Sequence, residues 1–462
     1  MDRRTFITSA TVAGVGASLG GAAGSSRAAE GPAAAPGILR RPPHSTVRIG
    51  VIGTGLRGRN HLRLILQRDD TEVPAICDID PAAIEASKGL MAEAGAPGAA
   101  VYDGDEHAYL EMLEREDLDG VIIATPWLWH TRMSVAAMRA GVTAGVEVSA
   151  ANTLEECWDL VNTSEETGVP CMILENVCYR RDVMAVLNMV REGLFGELLY
   201  MECGYQHDLR EVKFNDGTRP YGGGVKFGPE AFSEAKWRTA HSVHRNGDLY
   251  PTHGIGPVGN WLDINRGNRF ISMTSSATKS RGLHKYIVDQ AGEDHPNADV
   301  RFKLGDIVTS TIQTQNGETI IVKHDTNNPR PYSLGFRVQG TEGLWMDLNE
   351  SLHIQGVSPR HQWEDAAPYL EEYDHPLWKR YEDRAAGAGH DDMDFFVDHA
   401  FVESIKRAQP APMDAYDAAA WSAITPLSEI SIAAGGALVH FPDFTRGRWM
   451  TRKPDFALGD EY

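Results

Sequence analysis

Tyr250 and His253 are the side chains in this sequence best suited to moving protons. Histidine exchanges a proton near neutral pH, and a tyrosine with a lowered pKa could do the same. Pro251 suits the first position of a helix, and residues three apart share a helix face, so both side chains can project together. On spacing alone, Tyr250 could equally well pack and His253 could equally well cap the helix.

A second chemical feature is the glycine-rich run from Gly53 to Gly58. It follows an apolar run with the character of a buried parallel strand and precedes a helical pattern, and Asp78 comes twenty residues after Gly58. Glycines allow a tight turn close to a pyrophosphate, the helix N-terminus attracts the phosphates, and the acid can bind ribose hydroxyls while repelling a 2′-phosphate. This order predicts NAD binding, with NAD favoured over NADP.

Other kinds of site are not indicated by the composition. His207 and Asp208 lack companions at metal-ligand spacing, and the five cysteines show no CxxC pair, so no metal site is predicted. The chain carries 64 acidic and 44 basic residues, a balance that repels phosphate backbones and anionic lipid headgroups. Nucleic acid and membrane surfaces are therefore not expected as partners.

Strand-like and helical segments alternate in the first half of the chain, which predicts a doubly wound parallel sheet. Two further strands should end beside the glycine-rich turn, at residues 125–130 and 147–149. The predicted strands are Val47–Ile52, Val73–Asp78, Gly120–Thr125, Gly145–Val148 and Val169–Leu174, with helices from His61 to Gln67, Thr131 to Ala140 and Leu154 to Thr167.

Longer alternating segments begin after about residue 176 and predict a second, mostly antiparallel sheet that is half buried. They are Leu198–Gly204, Phe270–Ser276, Asp306–Thr314, Glu318–His324 and Phe336–Gln339, followed by helices between Met393 and Ala434. The predicted fold class is α/β, with a Rossmann dinucleotide-binding domain over residues 47–176. A C-terminal α+β domain with a mostly antiparallel open sheet follows over residues 177–462.

The first 29 residues are predicted to be a twin-arginine signal peptide, and residues 30–46 a linker rich in Pro, Ala and Gly. Arg3 and Arg4 open the signal, and a weakly apolar run from Ala10 to Ala23 follows that is too short for a membrane span. The sequence therefore predicts export to the periplasm or the medium. This route carries folded proteins, so a cofactor could be acquired before export.

The first half of the sequence resembles the Gfo/Idh/MocA oxidoreductases, through the glycine-rich turn, Thr125-Pro126 and Glu147. Those proteins usually carry a Glu-Lys-Pro segment whose lysine assists hydride transfer, whereas here Val148 and Ser149 follow Glu147. More narrowly, the chain resembles the NAD-dependent α-N-acetylgalactosaminidases of glycoside hydrolase family 109. The matching stretches are residues 55–58, 147–149, 175–182, 204–210, 237–239, 249–254, 263–267 and 330–332.

Carried over position by position, this resemblance implies the residues of each site. The implied NAD contacts are Leu56, Arg57, Asp78, Trp127, His130, Glu147, Val148 and Asn176. The implied substrate contacts are Tyr205, Arg238, Tyr250, Pro251, Thr252, His253 and Tyr332, with Tyr250 and His253 catalytic. The implied partner is a glycan with terminal N-acetylgalactosamine, and a homodimer is possible. One segment departs from the family pattern, because Asp391 and Asp392 stand where two glycines are usual.

The implied reaction is a redox-neutral cycle of oxidation at C3, elimination across C1 and C2, water addition and reduction. Export favours such a cycle, because an enzyme that consumed NAD would stall where little free NAD exists. An exported sugar oxidoreductase with a tightly bound cofactor is the first alternative. A carbohydrate-binding or scaffolding protein that keeps NAD as a structural element is the second.

Overall fold

A computed structural model describes residues 45–462, so the predictions for the signal peptide and for nearly all of the linker lie outside that part of the chain. The first sheet contains seven parallel strands in the order β4-β3-β1-β5-β6-β7, with β2 beside β1. These strands are β1 (Val47–Ile52), β2 (Thr71–Glu72), β3 (Ala75–Cys77), β4 (Ala100–Tyr102), β5 (Gly120–Ile123), β6 (Thr143–Val146) and β7 (Cys171–Ile173).

The strand order of this sheet is that of dinucleotide-binding folds, in which the chain reverses direction across the sheet between β1 and β5. Ligands of such folds collect at the carboxyl ends of the strands beside that reversal. Its helices are α1 (Leu56–Leu66), α2 (Pro81–Glu93), α3 (Ala108–Arg115), α4 (Trp127–Arg139) and α5 (Leu154–Thr167). The glycine-rich turn between β1 and α1 therefore stands where a ligand is expected.

The second sheet has nine strands in the order β15-β14-β13-β12-β8-β11-β10-β9-β16. Only β8 and β11 pair in parallel among these strands. The strands are β8 (Leu198–Gln206), β9 (Phe270–Ala277), β10 (Ile307–Thr314), β11 (Thr319–Asp325), β12 (Arg337–Gly340), β13 (Gly343–Met346), β14 (Ser351–Ile354), β15 (Glu364–Asp365) and β16 (Val439–His440).

Ten further helices belong to the residues after the first sheet. They are α6 (Arg181–Arg191), α7 (Arg210–Lys213), α8 (Arg238–His244), α9 (Thr252–Trp261), α10 (Gly282–Ala291), α11 (Ala367–Glu372), α12 (Pro376–Ala385), α13 (Met393–Arg407), α14 (Ala415–Ser422) and α15 (Ile424–Ala433). Short 3-10 helices lie at Asn176–Tyr179, Gly228–Glu230, Ser233–Lys236, Pro296–Asp299 and Arg448–Met450. None of the helices in the described residues is long and apolar enough to cross a membrane.

Helix α13, late in the chain, packs against the first sheet. Phe401 lies over β6 so closely that a Cβ atom on Gly145 would stand 2.9 Å from the ring. The same helix buries Asp394 and Asp398 among its phenylalanines. The C-terminal part of the chain therefore contributes charged groups to the side of the molecule that contains the first sheet and the glycine-rich turn, the dinucleotide side.

The predicted fold class is confirmed, and the observed strands lie at the predicted places with small shifts. The sixth strand is one example, because it was predicted over Gly145–Val148 and ends at Val146. The Val148 amide donates to the Glu147 carboxylate at 3.0 Å, so the backbone there bonds to a side chain and leaves the sheet. Helix α9 likewise begins at Thr252, with Pro251 as its cap residue.

Candidate active site

The turn after β1 is shaped for a phosphate group. Gly53 has a φ of +85°, and a Cβ on Gly58 would stand 1.8 Å from the Gly53 carbonyl oxygen, so the backbone requires glycine at both positions. Helix α1 begins after Gly55 with no side-chain cap and no acidic residue in its first turn. Its first N–H groups are therefore available to an anion.

Asp78 follows β3 and is fixed against the same turn. Its Oδ2 accepts a hydrogen bond from the Thr54 amide at 2.6 Å, and its Oδ1 accepts from the Asp80 amide at 2.9 Å. The carboxylate thus sits beside the glycine-rich turn at the end of the neighbouring strand, where ribose hydroxyls are recognised in folds of this order.

A buried network of charges stands behind the turn and contains two of the predicted cofactor residues. Arg57 Nε donates to Glu147 Oε1 at 2.5 Å, and Arg57 Nη1 donates to Asp394 Oδ2 at 2.7 Å. His61 joins this network, with its Nε2 2.8 Å from Glu147 Oε1 and its Nδ1 2.7 Å from Asp398 Oδ1. Helix α1, the end of β6 and helix α13 are therefore held together by ionic hydrogen bonds.

These contacts change the pKa of each member. Burial alone would lower the pKa of His61, but the Asp398 carboxylate outweighs it and raises the pKa to about 9. Burial would raise the pKa of Glu147, and the positive charge of Arg57 and the hydrogen bond from His61 hold it well below the usual range. Arg57 likewise holds the pKa of Asp394 down against burial. Asp398 keeps a raised pKa because burial outweighs its contact with His61.

The residues around this network fit a dinucleotide. Asn176 donates from Nδ2 to Asp394 Oδ1 at 2.7 Å, yet its Oδ1 is buried and has no hydrogen-bond partner among the described residues. The Ser149 hydroxyl is also buried and unpartnered within that part of the chain. A buried polar atom without a partner is costly, so both atoms suit a polar ligand at this position. Leu56, at the start of α1, is exposed.

Tyr250 and His253 meet as the sequence predicts, with ring centroids 4.9 Å apart. Tyr205, on β8, joins them at 4.8 Å from the Tyr250 ring and 5.4 Å from the His253 ring. Tyr332 reaches the cluster from the loop before β12, 6.2 Å from Tyr205, and is about half exposed. His207 was considered from the sequence only as a metal ligand. In the structure its Nδ1 lies 3.1 Å from the Tyr205 hydroxyl, within hydrogen-bond distance.

Arg238 and Trp127 connect this aromatic cluster to the dinucleotide side. The Arg238 guanidinium lies 4.9 Å from the Trp127 ring centroid and 5.0 Å from the Tyr250 centroid. Trp127 is the first residue of α4 and stacks on Tyr250 at 5.6 Å. Arg238 also pairs with Glu234 at 2.5 Å. The predicted cofactor residue Trp127 and the predicted catalytic residue Tyr250 are thus in contact.

The expectation of a tyrosine with a lowered pKa is wrong for Tyr250 in this structure. Burial raises the pKa of its phenol well above the usual value, and the nearby charge of Arg238 offsets this only in part. Burial also raises the pKa of Tyr205 to about 12. Both phenols are therefore neutral hydrogen-bond donors at neutral pH, and His253 is the residue of the pair suited to accept a proton.

A small cavity of about 10 Å³, roughly the space of one water molecule, lies beside Tyr250. Besides Arg238 and Tyr250, its lining includes Lys213, His324 and Thr326. The Lys213 ammonium donates to Thr326 and Asn327, and burial lowers its pKa to about 7. This small space therefore lies between Tyr250 and the end of β11, beside a buried lysine.

Several predicted contact residues are buried in the structure. His130 has both ring nitrogens bound to main-chain oxygens, 2.7 Å from Thr125 O and 2.8 Å from Ser149 O, and burial lowers its pKa. His130 therefore links the segments that follow β5 and β6. Val148, Pro251 and Thr252 are also buried, and their ligand contacts, like that of His130, stay predictions.

Sequence reasoning missed the partners that hold the site, namely His61, Asp394, Asp398 and Glu175. One signal was present, because Asp394 and Asp398 are one helical turn apart in an otherwise apolar segment rich in phenylalanine. Such acids are seldom buried unless they are paired. Glu175 lies directly after β7, at the same edge of the sheet as Glu147, and its Oε1 is 2.6 Å from His253 Nδ1.

The segment before α13 that contains Asp391 and Asp392 has an unusual backbone. His390, Asp391 and Asp392 have φ values of +47°, +53° and +68°, a region that glycine adopts most easily. His390 points toward the charge network, with its Nδ1 2.6 Å from Asp394 Oδ2. In residues 45–462 no group of three His, Cys, Asp or Glu side chains could hold a metal ion.

Comparison with known families agrees with this geometry. Residues 179–451 match the model of the C-terminal domain of glycosyl hydrolase 109, and residues 47–175 match the oxidoreductase model of an NAD-binding Rossmann fold. The chain belongs to glycosyl hydrolase family 109. It is therefore a glycoside hydrolase, and the predicted NAD cofactor is confirmed by the second match.

The similar proteins cover the chain almost completely. A glycosyl hydrolase family 109 protein of Parabacteroides distasonis is 56% identical over 99% of both chains. A protein of Tannerella forsythia named alpha-N-acetylgalactosaminidase is 54% identical, again over 99% of both. Among solved structures, an NAD-binding oxidoreductase from Klebsiella pneumoniae aligns at TM-score 0.63 with 18% identity, covering 87% of this chain and 100% of its own. That likeness shows the fold.

The raised pKa of His61 generates a prediction about stability. A raised pKa in the folded state stabilises the protein fully below the unfolded value of about 6.5, and this stabilisation is lost as the pH rises through about 9. The shift corresponds to on the order of 3 kcal/mol of unfolding free energy. Denaturant unfolding between pH 6 and 10 should show this loss in the wild type and not in His61→Asn.

The matched control is His440→Asn, which removes an exposed histidine on β16. It should retain the wild-type pH dependence. An identical decline in His61→Asn and in the wild type would show that His61 does not carry the effect.

Proposed function

We propose that this protein is an NAD-dependent glycosidase that hydrolyses terminal N-acetylgalactosamine, with the α linkage favoured. The observation that carries the proposal is the contact of Trp127, on the dinucleotide side, with the Tyr250–His253 pair. Trp127 stacks on Tyr250, and the Tyr250 ring meets His253 edge to face. The name of the Tannerella forsythia relative supports the choice of sugar. The glycan substrate is accordingly one that ends in this sugar.

The NAD would be held at the turn after β1 and along the charge network. We assign its contacts to Leu56, Arg57, Asp78, Trp127, His130, Glu147, Val148 and Asn176. When bound, NAD supplies an acceptor for a hydride from C3 of the sugar and returns that hydride at the end of the cycle. The buried Asn176 Oδ1 and the uncapped N-terminus of α1 are the groups of this chain best placed to bind it.

The carboxylates around the site support this route over direct displacement. Most glycosidases need two carboxyl groups that flank the scissile bond. Here Glu147 is committed to Arg57 and His61, and Glu175 is committed to His253 and the Val177 amide. Neither is free to act as a second carboxyl group facing the sugar. Proton transfer therefore falls to the Tyr250–His253 pair.

Tyr250 and His253 have different parts in the proposed reaction. Removal of the C2 proton of a 3-keto sugar leaves an enolate, and His253 is the base suited to take that proton. The neutral phenol of Tyr250 donates a hydrogen bond to the oxygen at C3, where negative charge develops. Loss of the aglycone from C1 and addition of water complete the bond cleavage.

The sugar would be bound by Tyr205, Arg238, Tyr332 and the Tyr250–His253 segment, which includes Pro251 and Thr252. Tyr332 is the most exposed of these side chains, at 47% of its surface, so it stands at the mouth of the cluster. Tyr205 lies deeper, between Tyr250 and His207.

An assay without added NAD distinguishes this proposal from its alternatives. Purified protein should release p-nitrophenol from the α-N-acetylgalactosaminide over many turnovers, because the hydride is returned in each cycle. Tyr250→Phe should lower kcat by about 10²-fold or more, while Tyr369→Phe, which removes a hydroxyl bound to Glu364, should leave it unchanged.

Two other results would contradict the glycosidase. Net formation of an aldonate or alditol would favour a sugar oxidoreductase with a tightly bound cofactor. Tight sugar binding without turnover, unaffected by Tyr250→Phe, would favour a carbohydrate-binding or scaffolding protein.

We further propose that the protein is exported by the twin-arginine route to the periplasm or the medium. Arg3 and Arg4 support this, as does a cycle that needs no free NAD after export. Replacing both arginines by lysine should leave the precursor in the cytoplasm, as measured by fractionation of cells producing the full chain. Export that continues in the double-lysine variant would refute this route. The possible homodimer stays a prediction.

A further inference from the structure

His253 makes a short contact with a buried carboxylate, Glu175, at the aromatic cluster. His253 Nδ1 lies 2.6 Å from Glu175 Oε1, a short distance for a hydrogen bond between an imidazole and a carboxylate. Glu175 is fully buried, whereas 15% of the His253 side chain is exposed. The imidazole therefore faces the carboxylate on its inner side and the cluster on its outer side.

Three neighbours fix the position of the Glu175 carboxylate. Its Oε1 also accepts from the Val177 amide at 3.1 Å, which makes Glu175 the cap of the 3-10 helix Asn176–Tyr179. Helix α9 passes so close that a Cβ atom on Gly256 would stand 2.9 Å from Glu175 Cγ. The same hypothetical Cβ atom would stand 3.0 Å from Cys178 Sγ, so this sulfur borders the same space. The carboxylate is thus held in place by its own segment and by packing against α9, independently of its contact with His253.

The second oxygen of Glu175 argues against a role in packing alone. Oε2 is buried and has no hydrogen-bond partner among the described residues. A carboxylate that served only to fill space or to cap a helix would be expected to have both oxygens paired. His253 is the titratable group that contacts this carboxylate.

The geometry points to Glu175 as the positioning residue that makes His253 a base. An ionised carboxylate only accepts hydrogen bonds, so the proton of the neutral imidazole must be on Nδ1. Nε2, which bonds to no residue in the described part of the chain, then presents its lone pair toward the cluster. The negative charge also stabilises the imidazolium that forms when Nε2 takes a proton.

This inference rests on the proposed function, because it assigns the base of that reaction. In the step concerned, Nε2 of His253 takes the C2 proton of the 3-keto sugar and the C–H electron pair enters the enolate. The sugar would be the 3-ketone at this stage, because bound NAD would supply the acceptor for the C3 hydride. Glu175 does not touch the sugar in this step; it acts through the orientation and charge of His253.

Glu175→Gln tests the inference with the full-length holoenzyme. The amide keeps the shape and can still accept a hydrogen bond, but the charge is lost. We expect kcat to fall by about 10²- to 10⁴-fold, as when a buried carboxylate behind a catalytic histidine becomes an amide. The acid limb of kcat/KM should move to lower pH, because the charge that favours the protonated imidazole is gone. Glu175→Asp, which keeps the charge, should recover part of the rate.

The control variant is Glu165→Gln, which also neutralises a mostly buried acid, here one bound to Tyr416 and Arg446 away from the cluster. It should leave the acid limb unchanged. An acid limb in Glu175→Gln that coincides with that of the wild type, whatever its rate, would overturn the inference. NAD content and the thermal midpoint show whether each variant remains folded and loaded.

A measurement on the wild type decides the case if Glu175→Gln does not fold. Nitrogen NMR of ¹⁵N-histidine-labelled protein, with the His253 signals assigned by their loss in His253→Ala, reports which ring nitrogen carries the proton. The Nδ1–H tautomer supports the inference, and the Nε2–H tautomer overturns it. The wild-type hydrolysis assay separately reports the proposed function, so a protein with the expected tautomer and no hydrolysis would refute only the proposed function.

Discussion

The ion pairs of Arg57 with Glu147 and Asp394 are the interaction on which the rest of the site depends. They join the first helix after the glycine-rich turn to the end of β6 and to a helix from the last quarter of the chain. Breaking a buried pair by removing one partner leaves an uncompensated charge, which costs far more than the pair gains. The turn, the loop after β6 and helix α13 must therefore be assembled together.

The position of Asn176 follows from the same network. Its Nδ2 donates to Asp394, so its free Oδ1 is fixed toward the ligand side, and Glu175 stands beside it in the chain. The Glu175 carboxylate in turn meets His253 at the start of α9. A continuous path of hydrogen bonds and neighbouring residues thus runs from the dinucleotide turn to the proposed base.

The second connection between the two sides of the site is aromatic. Arg238 lies against the rings of both Trp127 and Tyr250, and its charge is partly balanced by Glu234. A desolvated cation between two aromatic rings attracts both of them, so it favours close packing of the two rings. It also tempers, without reversing, the rise in the pKa of Tyr250 that burial causes. The phenol remains a donor beside a histidine that can accept.

Local sequence patterns were enough to predict the dinucleotide turn, whereas spacing alone left the roles of Tyr250 and His253 open and only the family resemblance implied that they are catalytic. The turn depends on residues close in sequence, and the alternation of strands and helices places it at the edge of the first sheet. The partner of Arg57 could not be predicted in this way, because Asp394 is 337 residues away in the chain. No spacing rule links them.

The pKa of Tyr250 was wrongly expected to be lowered, because residue type and spacing say nothing about burial. The role of Glu175 was missed for a related reason. As a sequence feature it is one acid among 64, and only the fold brings it to His253. Family resemblance does not report burial either, and Pro251 and Thr252, which it implied as substrate contacts, prove to be buried.

The central claim is that the glycosidic bond is broken after a proton leaves C2 of the sugar. Hydrolysis of an N-acetylgalactosaminide in deuterated water, followed by NMR or mass spectrometry of the released sugar, tests this directly. The account predicts deuterium at C2 of the product, because the proton returned to that carbon comes from a base in exchange with solvent. A product that keeps its original hydrogen at C2 would contradict the account and indicate direct displacement at C1.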